Sequence, residues 1–359
     1  MQSFRVELGP SAHEVHVGAG LLDQLGAFAL RAGLAPGRAA LVTDSNVARH
    51  YARRASDSLT GAGFAPEVIE IAAGEASKSL ATLADLYDRM TAAEIDRAGA
   101  VFALGGGVVG DLAGYAAATY LRGIAVVQVP TTVVAQVDSA LGGKTGVNHP
   151  RAKNLIGAFH QPRAIVADVA TLATLPEREY REGFAEVIKY GAIMDAAMVS
   201  DLEHDLALIA ARDPAILEAV VARSLRHKAA IVAADERETG MRKILNFGHT
   251  LGHALEASAG YGRYLHGEAV AIGMAAAAAL SEKHGGLSAD EAARLVRLLA
   301  RAGLPTAMPP DARHDAGFES ALRLDKKRAD GEIEFVLLDR LGHAFTRRLG
   351  LSEILAVLA

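Results

Sequence analysis

Three histidines and one glutamate are the residues in this chain best suited to chemistry. Asn246-Phe247-Gly248-His249-Thr250-Leu251-Gly252-His253 sets two imidazoles four residues apart, on one face of a helix. Leu265-His266-Gly267-Glu268 supplies a third imidazole further on. Imidazoles on adjacent turns suit zinc, and Glu186, a carboxylate among apolar neighbours in Ala185-Glu186-Val187-Ile188-Lys189, can complete a set of two His and one Glu with a position left open for substrate. Spacing alone favours His249 with His253 as the chelating pair. The plainer alternative is a set of hydrogen-bonded structural histidines.

A second candidate is Leu104-Gly105-Gly106-Gly107-Val108-Val109-Gly110-Asp111, which follows a strand and opens a helix, so that glycines 105, 107 and 110 meet the G-x-G-x-x-G spacing. Glycines let backbone N–H groups approach a pyrophosphate, and a helix N-terminus favours its charge. A tight strand-to-helix turn explains the same glycines without a ligand. The motif departs from the dinucleotide fingerprint by lying several strands into the chain, and no acid stands about 20 residues downstream to hold the ribose. Asp44, at the end of an earlier strand in Val42-Thr43-Asp44-Ser45-Asn46, can take that role. Leu141-Gly142-Gly143-Lys144-Thr145 looks like the end of a P-loop, but Asp138 occupies the first glycine position and would turn negative charge toward a triphosphate, which excludes an ATPase.

These groups must be held by elements of two kinds. Residues 39–43, 67–71, 100–104, 125–129 and 164–168 read as strands, with helical spacing at 21–32, 47–60, 80–93 and 112–121 between them. The alternation predicts an α/β domain with a Rossmann-like parallel sheet over residues 1–175, with ligands at the carboxyl ends of its strands. From 177 to 302 the pattern is helix after helix, broken at Asp213-Pro214, at 260–262 and at Gly285-Gly286. Residues 176–359 are therefore expected to form a mainly helical metal and substrate domain, with a late hairpin at 332–338 and 344–348. An active site at the seam of the two is expected.

Composition narrows the field. Of 359 residues, 51% are hydrophobic and 22% charged, ample for a packed core. The net charge of -5 leaves no broad basic surface for nucleic acid. With no cysteine, disulfides, thiolate metal sites and cysteine nucleophiles are excluded. The longest apolar run, 269–280, is too short to span a bilayer and reads as a buried helix, and the first residues carry no signal pattern. The expectation is a cytoplasmic protein with no membrane or nucleic-acid partner.

Read in order, several stretches resemble the 3-dehydroquinate synthase family over residues 43–338. They are 105–111, Gln128-Val129-Pro130-Thr131-Thr132, Gln136-Val137-Asp138-Ser139, 142–150, 153–159, 185–189, Ala234-Asp235-Glu236-Arg237, 246–253 and 265–268. That family of sugar-phosphate cyclases, related in fold to metal-dependent glycerol and alcohol dehydrogenases, converts 3-deoxy-D-arabino-heptulosonate 7-phosphate into 3-dehydroquinate and phosphate. The resemblance implies NAD and zinc, or cobalt in its place, a phosphorylated sugar acid as substrate, and a homodimer. It implies Glu186, His249 and His266 as metal ligands, against the spacing preference, with His253 in the pocket. It sets Gly106, Gly107, Val108, Asp111, Asp44, Asn46, Glu75, Lys78, Thr131, Thr132, Thr174 and Leu175 around NAD.

For the substrate and the chemistry the resemblance implies Arg122, Asp138, Lys144, Lys153, Asn154, Lys189, Lys228, Arg242, Asn246 and His253, with Lys326 or Lys327. A substrate bearing a carboxylate and a phosphate needs several fixed cations, and these scattered basic residues fall beside the motifs. Each alone reads as a solvated surface charge. The implied sequence is oxidation of a substrate hydroxyl by NAD, loss of phosphate, re-reduction by the same cofactor and an intramolecular aldol closure, with the departing phosphate taking the proton. The alternatives are another cyclase or a polyol dehydrogenase on the same fold, or a binding protein without chemistry.

Overall fold

The computed structural model describes residues 1–238, 240–260, 262–310, 316–324 and 332–358. By internal contacts the chain forms two compact units, Met1–Pro176 with Arg212–Ala233, and Glu177–Ala211 with Ala234–Ala359. In the first unit the strands are β1 (Gln2–Val6), β2 (His13–Gly18), β3 (Arg38–Asp44), β4 (Ala65–Ile71), β5 (Ala100–Gly105), β6 (Ala125–Pro130), β7 (Lys144–His149), β8 (Ala152–Phe159) and β9 (Ala164–Asp168). Seven of them form one sheet in the order β1-β2-β9-β6-β5-β3-β4, parallel throughout except for the β1–β2 pair.

The five strands expected from β-branched runs are the parallel core of that sheet. Their side chains alternate between two apolar layers. On β3, Leu41 enters one and Val42 the other; on β5, Phe102 and Val101 divide the same way. Both faces are thus covered, the condition under which a parallel sheet reads as a continuous apolar run. Each fully buried Leu, Val or Phe contributes roughly 1.5–3 kcal/mol. Chain order reverses between β3 and β5: β4 lies outside β3, while β5, β6 and β9 continue on the other side. The crevice beyond the carboxyl ends of β3 and β5 is the place where such a sheet binds ligands. Asp44 ends the first of these strands and Gly105 the second.

Three features were not legible in the sequence. β1 and β2 precede the first apolar run that was read as one, and the antiparallel β7–β8 hairpin is hidden by its composition. Gly146 pairs with Gly157, and a Cβ on Gly146 would lie 2.5 Å from the Ile156 carbonyl oxygen. The ribbon is closed by backbone contact where β-branched residues would otherwise announce it. The return of Arg212–Ala233 to the first unit has no mark in composition either. It is held there by the Met1 amino group at 3.0 Å from Glu218 and by Arg212 donating to the carbonyls of Leu172 and Ala173.

The second unit contains the helices Glu177–Glu182, Phe184–Met194, Ala196–Ala210, His249–Ala259, His266–His284, Ala289–Arg301, Ala316–Leu324 and Leu351–Leu358. It also holds the hairpin of β10 (Glu332–Arg340) and β11 (His343–Gly350). The apolar run 269–280 lies within His266–His284, almost wholly buried. Among the described residues no helix is long and apolar enough to cross a membrane.

Candidate active site

In the second unit the metal-ligand candidates come together. Helix Phe184–Met194 is apolar nearly all round, and it buries Glu186 completely. His249 is the first residue of its helix and His266 the first of the next. These two helices meet at backbone distance because their contact is made of glycines. A Cβ on Gly273 would stand 2.0 Å from the Gly248 carbonyl oxygen, and one on Gly252 3.0 Å from that of Ala269. The result is a cluster in which Glu186, His249 and His266 each offer a ligand atom, all within 4.8 Å of one another. His253 is not in that set; it forms a second group with Glu256 and His266, its ring 5.3 Å from that of His249. Geometry around Glu186 therefore selects His266 over the i,i+4 partner that spacing favoured.

The cluster fits a divalent cation. Both Glu186 oxygens are buried without a completed hydrogen bond, and His249 Nε2 and His266 Nε2 stand 3.3 and 3.5 Å from Oε1. Tetrahedral coordination with bonds of about 2.1 Å separates ligand atoms by about 3.4 Å. Burial alone would raise the Glu186 carboxyl, but the Lys189 ammonium in contact with it, and then His249, hold it well below the usual carboxylate range. Burial likewise disfavours charge on His266, yet hydrogen bonds and charge from Glu186 and Glu256 outweigh it and push the imidazole up to about 10. The surroundings thus favour positive charge at this point.

Sequence reading missed three acids here. Glu256, buried, accepts from His266 Nδ1 at 3.3 Å; its only signal is its place seven residues after His249, on the same helix face. Glu182 accepts from the Gly267 N–H, and burial pushes its carboxyl up to about 7. Glu238 accepts from Asn246 Nδ2 at 3.1 Å. Arg242, buried, donates from its backbone to Asp235 and from its guanidinium to the Glu236 carbonyl. Lys189 is buried against Glu186 and over the Tyr190 ring. Lys326 and Lys327 lie outside the described residues.

In the first unit the glycine turn sits at the switch point. Gly106 is the N-cap of helix Gly107–Thr119 and brings no side-chain cap, so the helix start offers N–H groups that its own turn does not satisfy, the arrangement that suits an anion. The 131–139 segment packs on the turn: a Cβ on Gly106 would lie 2.9 Å from Thr132 Cγ2, and one on Gly107 3.2 Å from Ser139 Oγ. The Thr43 and Thr131 hydroxyls, both near the carboxyl edge of the sheet, are buried without a hydrogen-bond partner. A polar ligand would satisfy them, so the residues fit a dinucleotide. Asp44 caps the following turn through the N–H groups of Asn46 and Val47, and Val108 is partly exposed.

Lys78, buried, donates to Asp111 and to Asn154, each at 2.5 Å. Asn148 ties the same network to Glu75 at 2.7 Å and accepts from Asn154 N–H at 2.9 Å, with Asn154 at φ 54°. Burial raises the Asp111 carboxyl even against the Lys78 charge. Thr174 bonds the Tyr51 hydroxyl at 2.7 Å, beside Leu175, and Thr132 caps Ala135 N–H. Lys228, on helix Pro214–Ala234, pairs with the Asp138 carboxylate at 2.9 Å and its carbonyl at 2.7 Å. Lys144 and Arg122 are exposed and Lys153 half-buried; Arg122 sits at φ 70°.

A parallel sheet with a glycine turn at its switch point, and a helical unit with a Glu-His-His cluster, define a class: the fold shared by 2-deoxy-scyllo-inosose synthase and a probable glycerol dehydrogenase. Within it, the profiles described as 3-dehydroquinate synthase N-terminal and C-terminal match residues 68–182 and 183–328. The chain belongs to the 3-dehydroquinate synthase family. It is 48% identical over 359 residues to the 3-dehydroquinate synthase of Geobacter metallireducens, covering 99% of each chain. Among solved structures it is similar to 2-deoxy-scyllo-inosose synthase complexed with carbaglucose-6-phosphate, NAD+ and Co2+, at TM-score 0.89, 26% identity and 99% coverage of both chains. It is also similar to 2-epi-5-epi-valiolone synthase from Streptomyces hygroscopicus with NAD+ and Zn2+ bound, at TM-score 0.86 and 30% identity, covering 98% of this chain and 96% of that one.

Proposed function

We propose that this chain converts 3-deoxy-D-arabino-heptulosonate 7-phosphate into 3-dehydroquinate and phosphate, using NAD and a divalent metal ion, zinc or cobalt. The observation that carries the reading is the buried Glu186 carboxylate, without a completed hydrogen bond and faced by two imidazoles, in a chain whose family matches run from 68 to 328. Glu186, His249 and His266 would hold the metal. The glycine turn, with Asp44, Asn46, Glu75, Lys78, Asp111, Thr131, Thr132, Thr174 and Leu175, would hold NAD. When bound, NAD supplies a reversible hydride acceptor, and the metal a Lewis acid that acidifies a hydroxyl.

The chain's own side chains orient and neutralise. Lys189 offsets the buried Glu186 charge, and Lys228 fixes the Asp138 backbone and carboxylate in one arrangement. Lys144, Lys153, Arg122 and Arg242 supply the fixed positive charge that a carboxylate and a phosphate need, with Asn154 and Asn246 as neutral partners and Lys326 or Lys327 in the same set. His253, exposed beside the cluster, holds or releases a proton at an imidazole nitrogen. A cytoplasmic homodimer belongs to the same proposal.

The test is to supply the heptulosonate phosphate with zinc and catalytic NAD. Dehydroquinate and phosphate should form in equal amounts with no net NADH. Stoichiometric NADH without dehydroquinate would mark a polyol dehydrogenase and overturn the reading.

A further inference from the structure

The two imidazoles of the cluster are anchored differently. His249 Nδ1 lies 3.2 Å from the Phe247 carbonyl oxygen, two residues away on its own backbone, and its side chain is 11% exposed. His266 is 36% exposed and begins its helix, so no preceding turn packs against its ring or restricts χ1. The helix start itself is secured at the backbone, where the Glu268 carboxylate accepts from Leu265 N–H at 2.9 Å. That bond does not reach the imidazole ring, which lies 5.3 Å from the His249 ring and 5.8 Å from that of His253. The ring meets one carboxylate through its outer nitrogen, Glu256 Oε2 at 3.3 Å from Nδ1, and the Glu256 side chain is only 9% exposed.

We propose that Glu256 is a positioning residue for the metal centre: by accepting from His266 Nδ1–H it sets the tautomer and ring orientation that present Nε2 to the ion. The inference rests on the metal reading of Glu186, His249 and His266. A carboxylate can only accept here, so Nδ1 must carry the proton, and the lone pair that would bind the ion is that of Nε2, on the Glu186 side. The negative charge also makes that lone pair more basic, which strengthens coordination. Helix His249–Ala259 thereby does two things with one face: His249 provides a ligand, and Glu256, seven residues on, orients the ligand of the neighbouring helix.

The experiment is zinc affinity, measured by chelator competition on the full chain, with thermal unfolding of the metal-free protein alongside and the absorption spectrum of the cobalt-loaded protein as a report on coordination. E256L, which has no acceptor, should raise the zinc Kd by about 100-fold, and E256Q, which keeps an acceptor without charge, by about tenfold. The cobalt spectrum should change in both, while the metal-free unfolding midpoint of E256Q stays at the wild-type value. On a His266→Ala background, E256Q should make no further difference. Should E256L fail to fold, E256Q and the double variant decide. Wild-type affinity in E256Q, or an equal loss with His266 already absent, would overturn the proposal. So would two zinc ions per wild-type chain with one lost in E256Q, which would make Glu256 a ligand. A wild-type chain that binds no zinc would overturn the metal reading itself.

Discussion

In the first unit the groups proposed to face a ligand are backbone N–H groups and hydroxyls on 105–111 and 131–139, with Thr43 of β3, held by a sheet buried on both faces. In the second they are side chains, Glu186, His249 and His266, each from a different helix, the two histidine helices meeting through glycine contacts. The first site is set by the conformation of a contiguous turn; the second exists only if three helices pack correctly. Damage to one should therefore leave the other intact, and four predictions test how far that separation holds.

His266→Ala should have the largest effect, a loss on the order of 10³-fold in kcat/KM, since a Lewis acid contributes several kcal/mol of transition-state stabilisation. Bound zinc measured by elemental analysis should fall, with NAD affinity and the circular dichroism spectrum unchanged. Loss of NAD binding would show that the two sites are not separable. Lys144→Ala should lower kcat/KM by about 10–100-fold, the loss of one charge-assisted contact of roughly 1.5–3 kcal/mol, without changing zinc content. Unchanged kinetics would remove this lysine from the site.

Gly106→Ala should weaken NAD binding by about tenfold, because the added methyl would meet Thr132 Cγ2 at 2.9 Å and displace the turn, an overpacking cost of roughly 1–3 kcal/mol. Titration with NAD checks it, and a parallel fall in zinc content would break the comparison. The smallest effect is on stability. His16 packs 4.3 Å from the Phe28 ring, and burial lowers its pKa, as it does that of His13. The unfolded chain, with histidine near 6.5, then binds protons that the folded chain refuses. This contribution is complete above about 6.5 and is lost as pH falls through the depressed folded value. Raised groups such as Glu182 act in the opposite sense, so the sign is read from a difference: from pH 7.5 to 5.5 the thermal midpoint of His16→Gln should fall less, or rise more, than that of the wild type, and an equal slope would absolve His16.

Sequence reading recovered the parts of the molecule where local pattern and structure share one cause. The parallel core strands came from runs that are apolar because both sheet faces are covered, and the helix breaks at Asp213-Pro214, 260–262 and Gly285-Gly286 came from residues that cannot continue a helix. The glycine turn was legible for the same reason, and its odd place in chain order follows from β5 lying beside β3 at the switch point. The β7–β8 hairpin was not, since Gly146 opposite Gly157 reads as loop until the second strand supplies the contact.

By itself, then, the sequence determined the α/β and helical halves, the turn and the family to which the residues belong, because each is written in neighbouring residues. Spacing could not decide between His253 and His266, which the family resemblance did; tertiary structure alone decided that Lys228 returns to Asp138 and that Glu256 stands behind His266. Those distances depend on how closely helices approach one another. That approach is set by packing between residues far apart in the chain, which no local spacing encodes.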